Sequence, residues 1–307
     1  MERGELTEVT TGDCSDLYYL DTGMYDTDGY GAAYVLDAEQ PAVVETGIGT
    51  NHERILAALA ELDIAREELA VIAVTHIHLD HAGGAGFLAE ACPNADVCVH
   101  AAGASLLADP GRLVAGTKAA VGDQWEFYTE PKPIPEDRIR EIEGGDVVDL
   151  GDHELRVHEA PGHAFHQVVF EDPENDAVFT GDAAGIWIPG TEEIVETSPP
   201  SDFDLEQCLE DLETIGEIDP GVLLYTHFGP RKVGDDLEDA LAEYGDVLST
   251  WVEAVESKRR ELEDDEAVVD HFAETVGSER ADTWGERKAS AEAAMNVRGV
   301  LGYLDGE

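Results

Sequence analysis

Positive charge is what this 307-residue chain has least of: 18 Lys and Arg stand against 69 Asp and Glu, a formal net charge of -51. Proteins that grip nucleic acid draw their affinity from Lys and Arg on phosphates, so this balance argues against a nucleic-acid partner. Cysteine is scarce as well. Cys14, Cys92, Cys98 and Cys208 are scattered with no Cys-x-x-Cys pair, which leaves no thiolate zinc knuckle and no disulfide framework, only buried free thiols. No apolar run approaches the ~18 residues of a membrane span, and the opening "MERGELTEVTTGDCSDLYYL" has no basic segment leading into an apolar one. These absences predict a soluble, unsecreted, cytoplasmic protein with no membrane partner.

The acidic residues are not gathered into a tail. They are interleaved with apolar segments along the whole length, and 43% hydrophobic content can supply a core, so a globular fold is expected rather than disorder. A surface this acidic suits concentrated salt, where a Debye length of ~3 Å at 1 M screens the self-repulsion. The expectation is a halophilic protein from a salt-in, haloarchaeal-type cytoplasm.

Short strands are expected at Leu17–Gly23, Tyr30–Ala38 and Ala42–Gly47, followed by a helix in which Ile55, Leu56, Leu59 and Leu62 fall at helical spacing. A buried strand "VIAVTH", a helix near Gly84–Ala91 and a strand "ADVCVHA" come next. Around Phe127–Gly145, Pro131, Pro133, Pro135 and a Gly pair break regular structure and suit a connector between two halves. The order then restarts with strands "DVVDL", "ELRVHEA", "QVVFED" and "AVFTGDA", a helix "DFDLEQCLEDLETIGEI", a strand "VLLYTHFG" and a helical tail from Asp235. Strands then helices, twice, fits two packed sheets with helices on both outer faces.

Within "VIAVTHIHLDHAGGAG", His76, His78, Asp80 and His81 crowd the turn after a buried strand. Three later stretches repeat the pattern of apolar strand followed by a metal-capable side chain: "APGHAFH" with His163, "VFTGDAAG" with Asp182 and "LLYTHFGP" with His227. Imidazole and carboxylate without thiolate suit Zn²⁺ first and Fe or Mn next. Seven such groups exceed the needs of one tetrahedral ion, so two ions sharing a carboxylate is the economical arrangement. Gly83 and Gly84 let the chain turn tightly behind the ligands; without a following Lys and Ser or Thr they form no phosphate loop.

"THIHLDHAGG" followed in order by "PGH", "TGD" and "THFG" resembles the metallo-β-lactamase superfamily of metal-dependent hydrolases, across roughly Leu17–Arg231, and the stretch "DPGRLVAG" through "PGHAFHQ" resembles a glyoxalase II-like branch. The resemblance implies an α/β (α+β) fold: a four-layer αββα sandwich over 1–234, its two αβ halves joined near 127–145, with a C-terminal helical extension over 235–307. It implies a dinuclear zinc centre, two Zn²⁺ per chain, with His76, His78 and His163 on the first ion, Asp80, His81 and His227 on the second, and Asp182 between them. Asp80 is then the catalytic residue that orients a bridging hydroxide. Where many relatives carry Asp-Thr-Gly, this chain has Glu45, one methylene longer, in "ETG".

Weaker candidates for substrate contact are Tyr34, His166, Trp187, Phe228 and Arg231, aromatic or basic groups in or after apolar strands. His52, His100, His153, His158 and His271 are assigned to solvent or capping. Between Arg156 and Arg231 there is no Lys or Arg. Arg231 and Lys232, just after "HFGP", and Arg112 or Lys118 remain as single anchors, with nothing clustered, which favours a small ester, thioester or lactone over a polyanion. Two competing readings are a mononuclear iron enzyme of the persulfide dioxygenase type and a non-catalytic metal-binding module. The acidic tail is free to cover the sheet, to act as a lid or to pair two subunits as a homodimer.

Overall fold

The computed structural model describes residues 2–200 and 202–306; Met1 and Glu307, the outer limits of the two expected segments, lie outside them. One sheet runs in chain order: β1 (Leu6–Glu8), β2 (Leu17–Asp21), β3 (Ala32–Leu36), β4 (Ala42–Val44), β5 (Val71–Ala73), β6 (Asp96–His100) and β7 (Ile139–Ile142). Its strands are antiparallel from β1 to β4 and parallel from β4 to β7. The other sheet is built from β8 (Val147–Asp149), β9 (Glu154–Glu159), β10 (Val168–Asp172) and β11 (Ala177–Gly181), then, after a separate hairpin of β12 (Ile186–Ile188) and β13 (Glu193–Val195), from β14 (Val222–Tyr225) and β15 (Gly229–Lys232). Its spatial order is β15-β14-β11-β10-β9-β8, with β11 and β14 parallel and the rest antiparallel.

Alternation along the strands decides which core each residue joins. Tyr34, Leu36, Val168, Phe170, Phe179 and Leu224 meet between the sheets. Their neighbours Val35, Val169, Val178 and Leu223 face outward, under helices. That double coverage is why these strands read as unbroken apolar runs rather than alternating ones. The outer layer of the first sheet is α1 (His52–Glu61), α3 (Ala85–Ala91) and α4 (Ala101–Ala108); α2 (Leu79–Ala82) is the short turn that carries Asp80 and His81. The outer layer of the second sheet is α6 (Leu205–Ile218), α7 (Leu237–Leu262), α8 (Asp265–Glu279) and, after α9 (Ala281–Trp284), α10 (Glu286–Gly306). The molecule is thus a mixed α/β sandwich of four layers.

Two departures from the sequence expectation bear on the site. Residues 127–145 do not break all regular structure: β7 fits between the prolines and the Gly144–Gly145 pair, with Ile142 buried at the sheet edge. Helix α5 (Gly111–Val121), for which periodicity gave no signal, packs against α2, α4 and α10. The tail therefore returns across the molecule to the loops that carry the ligand-type residues.

Candidate metal centre

Each candidate side chain follows the C-terminal end of a strand: Glu45 after β4, His76 after β5, His163 after β9, Asp182 after β11 and His227 after β14. Those ends lie at one edge of the sandwich. His78 caps α2 with φ -55° and ψ 143°, and the helix turns Asp80 and His81 back toward the edge. Behind it the chain passes so close to the Glu45–Gly47 turn that a Cβ on Gly84 would sit 2.3 Å from the Thr46 carbonyl oxygen. Gly84 N–H donates to Thr46 Oγ1 at 3.1 Å, and Thr46 Oγ1 donates to the His81 carbonyl at 2.7 Å. Glycine is required there by the close approach.

The donor atoms converge. His76 Nε2 is 3.0 Å from His78 Nδ1, which is 3.1 Å from His163 Nε2. Asp182 divides its oxygens: Oδ2 is 3.4 Å from His163 Nε2, and Oδ1 is 3.4 Å from both His81 Nε2 and His227 Nε2. His81 Nε2 is also 3.9 Å from Asp80 Oδ2. Three sets fall within the span of a metal's ligands: His76, His78 and His163; His76, His81 and Asp182; Asp80, His81 and His227. The sequence-assigned groups are all brought together.

The outer nitrogens of several rings are already used. His81 Nδ1 faces Glu45 Oε2 at 3.0 Å, His227 Nδ1 faces the Tyr30 carbonyl at 3.0 Å, and His76 Nδ1 faces Thr75 Oγ1 at 3.1 Å. Donation outward leaves the other nitrogen of each ring as a lone pair pointing inward. Protein atoms alone do not satisfy these lone pairs: His81 Nε2 and Asp182 Oδ1 are buried with no hydrogen-bond partner. Metal ligation needs neutral imidazoles, and three of the rings are held in that state. Burial drives His163 down to about 3 and holds His78 below and His76 well below the usual histidine range, with His81, His78 and His163 adding to the effect on His76. His81 goes the other way: against its burial, Asp182, Glu45 and Asp80 raise it well above that range, the response of a ring that faces three carboxylates. Burial works against the Asp182 charge, yet His81, His163 and His227 hold its carboxyl well below the ordinary value. A donor set of imidazoles and carboxylates with orphaned buried atoms fits a divalent cation.

Beside the cluster lies a cavity of about 690 Å³, within the usual range for a small-molecule site. His78, Asp80, His163, Asp182 and His227 form part of its wall; Leu113, Val121, Phe165 and Met295 form an apolar part. His166 also lines it, its pKa driven down to about 2 by burial and by His78 and His163. The other four candidates for substrate contact are not on the described wall. Tyr34 is wholly buried between the sheets and its hydroxyl donates to the Tyr225 carbonyl at 2.6 Å. Arg231 lies 3.6 Å over the Trp187 ring, on the far side of the second sheet's edge strand, and Phe228 packs edge-on against Tyr30. An aromatic that follows an apolar strand fills core before it lines a cavity. His153 departs as well: it is buried against Asp172 at 3.2 Å rather than solvated, whereas His100 accepts from Ala102 N–H and caps α4.

Sequence reasoning missed Tyr25, Tyr128, Lys288 and Glu292, all on the cavity wall. Tyr25 and Tyr128 share a hydrogen bond between hydroxyls, and Lys288 lies 4.1 Å over the Tyr25 ring while paired with Glu292. The available signal was a Lys with a Glu four residues on, in the apolar stripe of a tail helix, where a charge needs a buried partner.

The geometry is matched by relationship. The metallo-beta-lactamase superfamily model matches residues 26–227, more than half of the chain, and the protein belongs to that superfamily. The metallo-beta-lactamase fold-containing protein ST1585 of Sulfurisphaera tokodaii is 27% identical over 237 residues, covering 75% of this chain and 85% of that one. The crystal structure of ST1585 aligns with a TM-score of 0.63 at 26% identity, over 75% of this chain and 86% of that chain. Acyl-coenzyme A thioesterase MBLAC2 of Gallus gallus is 28% identical over 182 residues, 55% of this chain and 62% of that enzyme, so under two thirds of its length is spanned. Among the described residues no helix is long and apolar enough to cross a membrane.

Proposed function

We propose that this protein is a metal-dependent hydrolase of acyl thioesters, with two Zn²⁺ per chain. The observation that carries the reading is Asp182, whose two oxygens reach separate groups of imidazoles at 3.4 Å beside an apolar cavity. His76, His78 and His163 would hold one ion, Asp80, His81 and His227 the other, with Asp182 between. Bound there, such ions supply Lewis acidity toward an acyl carbonyl and an activated water.

The chain's own groups account for the rest. Asp80, a quarter exposed at the cavity floor, offers a carboxylate acceptor that orients the attacking water. Leu113, Phe165 and Met295 receive the acyl chain and exclude bulk solvent around the carbonyl. Attack forms the C–O bond of a carboxylic acid, breaks the C–S bond and releases a thiol. The relation to MBLAC2 supports thioester over ester or lactone.

Metal-replete protein of measured metal content, assayed on a panel of S-acyl-N-acetylcysteamine thioesters, aryl esters, lactones and a phosphodiester, tests the reading. Thioester turnover lost in His163→Ala and Asp182→Ala is expected. No turnover on the panel at two metals per chain would sink it in favour of a binding module; one iron per chain with oxygen uptake on glutathione persulfide would replace it with the dioxygenase reading.

A further inference from the structure

In a chain this acidic a basic side chain has carboxylates on every side, and most are engaged: Lys288 with Glu292, Arg280 with Glu196, Arg231 with Glu243. Arg112 and Arg298 are exceptions. Neither takes part in a hydrogen bond or ion pair among the described residues, and both line the cavity that holds His78, Asp80 and His163. Arg112 stands in the first turn of α5 and Arg298 on α10, two helices that pack against each other. Both arginines are exposed, which places them at the solvent side of the cavity, while Leu113, Val121 and Met295 from the same two helices form its apolar wall. Basic groups from positions far apart in sequence thus line one cavity.

We propose that Arg112 and Arg298 form an oxyanion-binding subsite at the cavity mouth, which receives a phosphate or carboxylate on the thiol portion of the substrate. The inference rests on the thioester reading. A guanidinium presents a planar fork of N–H donors matched to either oxyanion, and an unpaired one has no internal bond to give up when the ligand arrives. The substrate is therefore amphipathic, with its acyl chain along the wall, its carbonyl at the donor cluster and its charged end between α5 and α10. The tail helix then serves in recognition as well as in covering the sheet.

Binding without turnover separates this from the hydrolase reading. S-ethyl coenzyme A carries phosphates, S-ethyl glutathione carries carboxylates and S-ethyl pantetheine is neutral; each is titrated calorimetrically into the metal-replete protein at one fixed KCl concentration. At least one anionic analogue is expected to bind more tightly than the neutral one. Each of Arg112→Gln and Arg298→Gln should lower the anionic-to-neutral affinity ratio about three- to tenfold, and Arg66→Gln, an exposed arginine elsewhere, should leave it unchanged. Which analogue binds distinguishes phosphate from carboxylate. Equal affinities for all three, no binding of either anion, or a ratio untouched in the double variant overturns the subsite. Turnover of a neutral thioester with no arginine effect sinks the subsite alone; arginine-dependent binding with no thioester turnover sinks the hydrolase alone.

Discussion

Glu45 Oε2 and His81 Nδ1 lie 3.0 Å apart with both side chains shut off from water. The other oxygen of the same carboxylate accepts Thr75 N–H at 3.0 Å, so one side chain ties the β5 strand end to the helix that presents Asp80 and His81. Glu45 does this from φ 67°, a left-handed conformation that a Glu adopts only when its surroundings enforce it. The extra methylene relative to Asp provides the reach. Glu45→Gln, which removes the charge behind His81, and Glu45→Asp, which cannot span both partners, should each weaken metal binding about 10- to 100-fold. Competition with a chromophoric chelator measures this; wild-type affinity in both variants would remove Glu45 from the support of the centre.

Asp211, on α6, accepts Gly162 N–H at 2.7 Å and Gln207 Nε2–H at 3.1 Å, and so anchors the turn that leads to His163. Burial pushes its carboxyl up to about 6. A carboxyl that holds its proton more tightly folded than unfolded makes the native state bind the extra proton between about pH 4 and 6, and stability falls as pH rises through that window. Above it the full cost of the buried charge remains. Asp211→Asn cannot ionise but loses an acceptor for one of its two donors, a cost that does not change with pH. The difference between the proteins therefore narrows from pH 5 to 7, by about 1 kcal/mol, in urea unfolding of each at matched salt. A constant difference would show that Asp211 is ionised throughout.

The candidate centre was legible in the sequence because the groups it gathers are polar residues at the ends of apolar strands, a break in pattern that is local and needs no knowledge of packing. His76, Asp182 and His227 each stand within a few residues of a strand that both sheet faces bury. The role of Glu45 was half visible, since its identity is in the sequence but its contact with His81 is made 36 residues away. The cavity wall was not legible. Tyr34 stands in the apolar run "AAYVL" and Tyr25 in the polar stretch "DTGMYDTDGY", yet the pairing of β3 sends the first between the sheets while the segment after β2 carries the second to the cavity. Arg298 was invisible for the same reason, because nothing local in α10 says that its helix returns to α5.

Charge spacing sets the last expectation. The described surface of 12509 Å², shared among a net charge of -51, allows roughly 250 Å² per charge, a spacing of about 16 Å. Of the residues outside the description only Glu307 adds an acidic side chain. A Debye length of about 30 Å at 0.01 M exceeds that spacing, about 10 Å at 0.1 M falls below it, and about 3 Å at 1 M removes neighbour repulsion. If the surface is adapted to salt through screening, the melting temperature should climb steeply from 10 mM to a few hundred millimolar KCl and then level off. A further rise toward molar KCl would assign the adaptation to ion hydration by the acidic surface instead. Thermal melts of the metal-replete protein across that range decide between them, and a melting temperature that does not rise at all would end the halophilic reading of the composition.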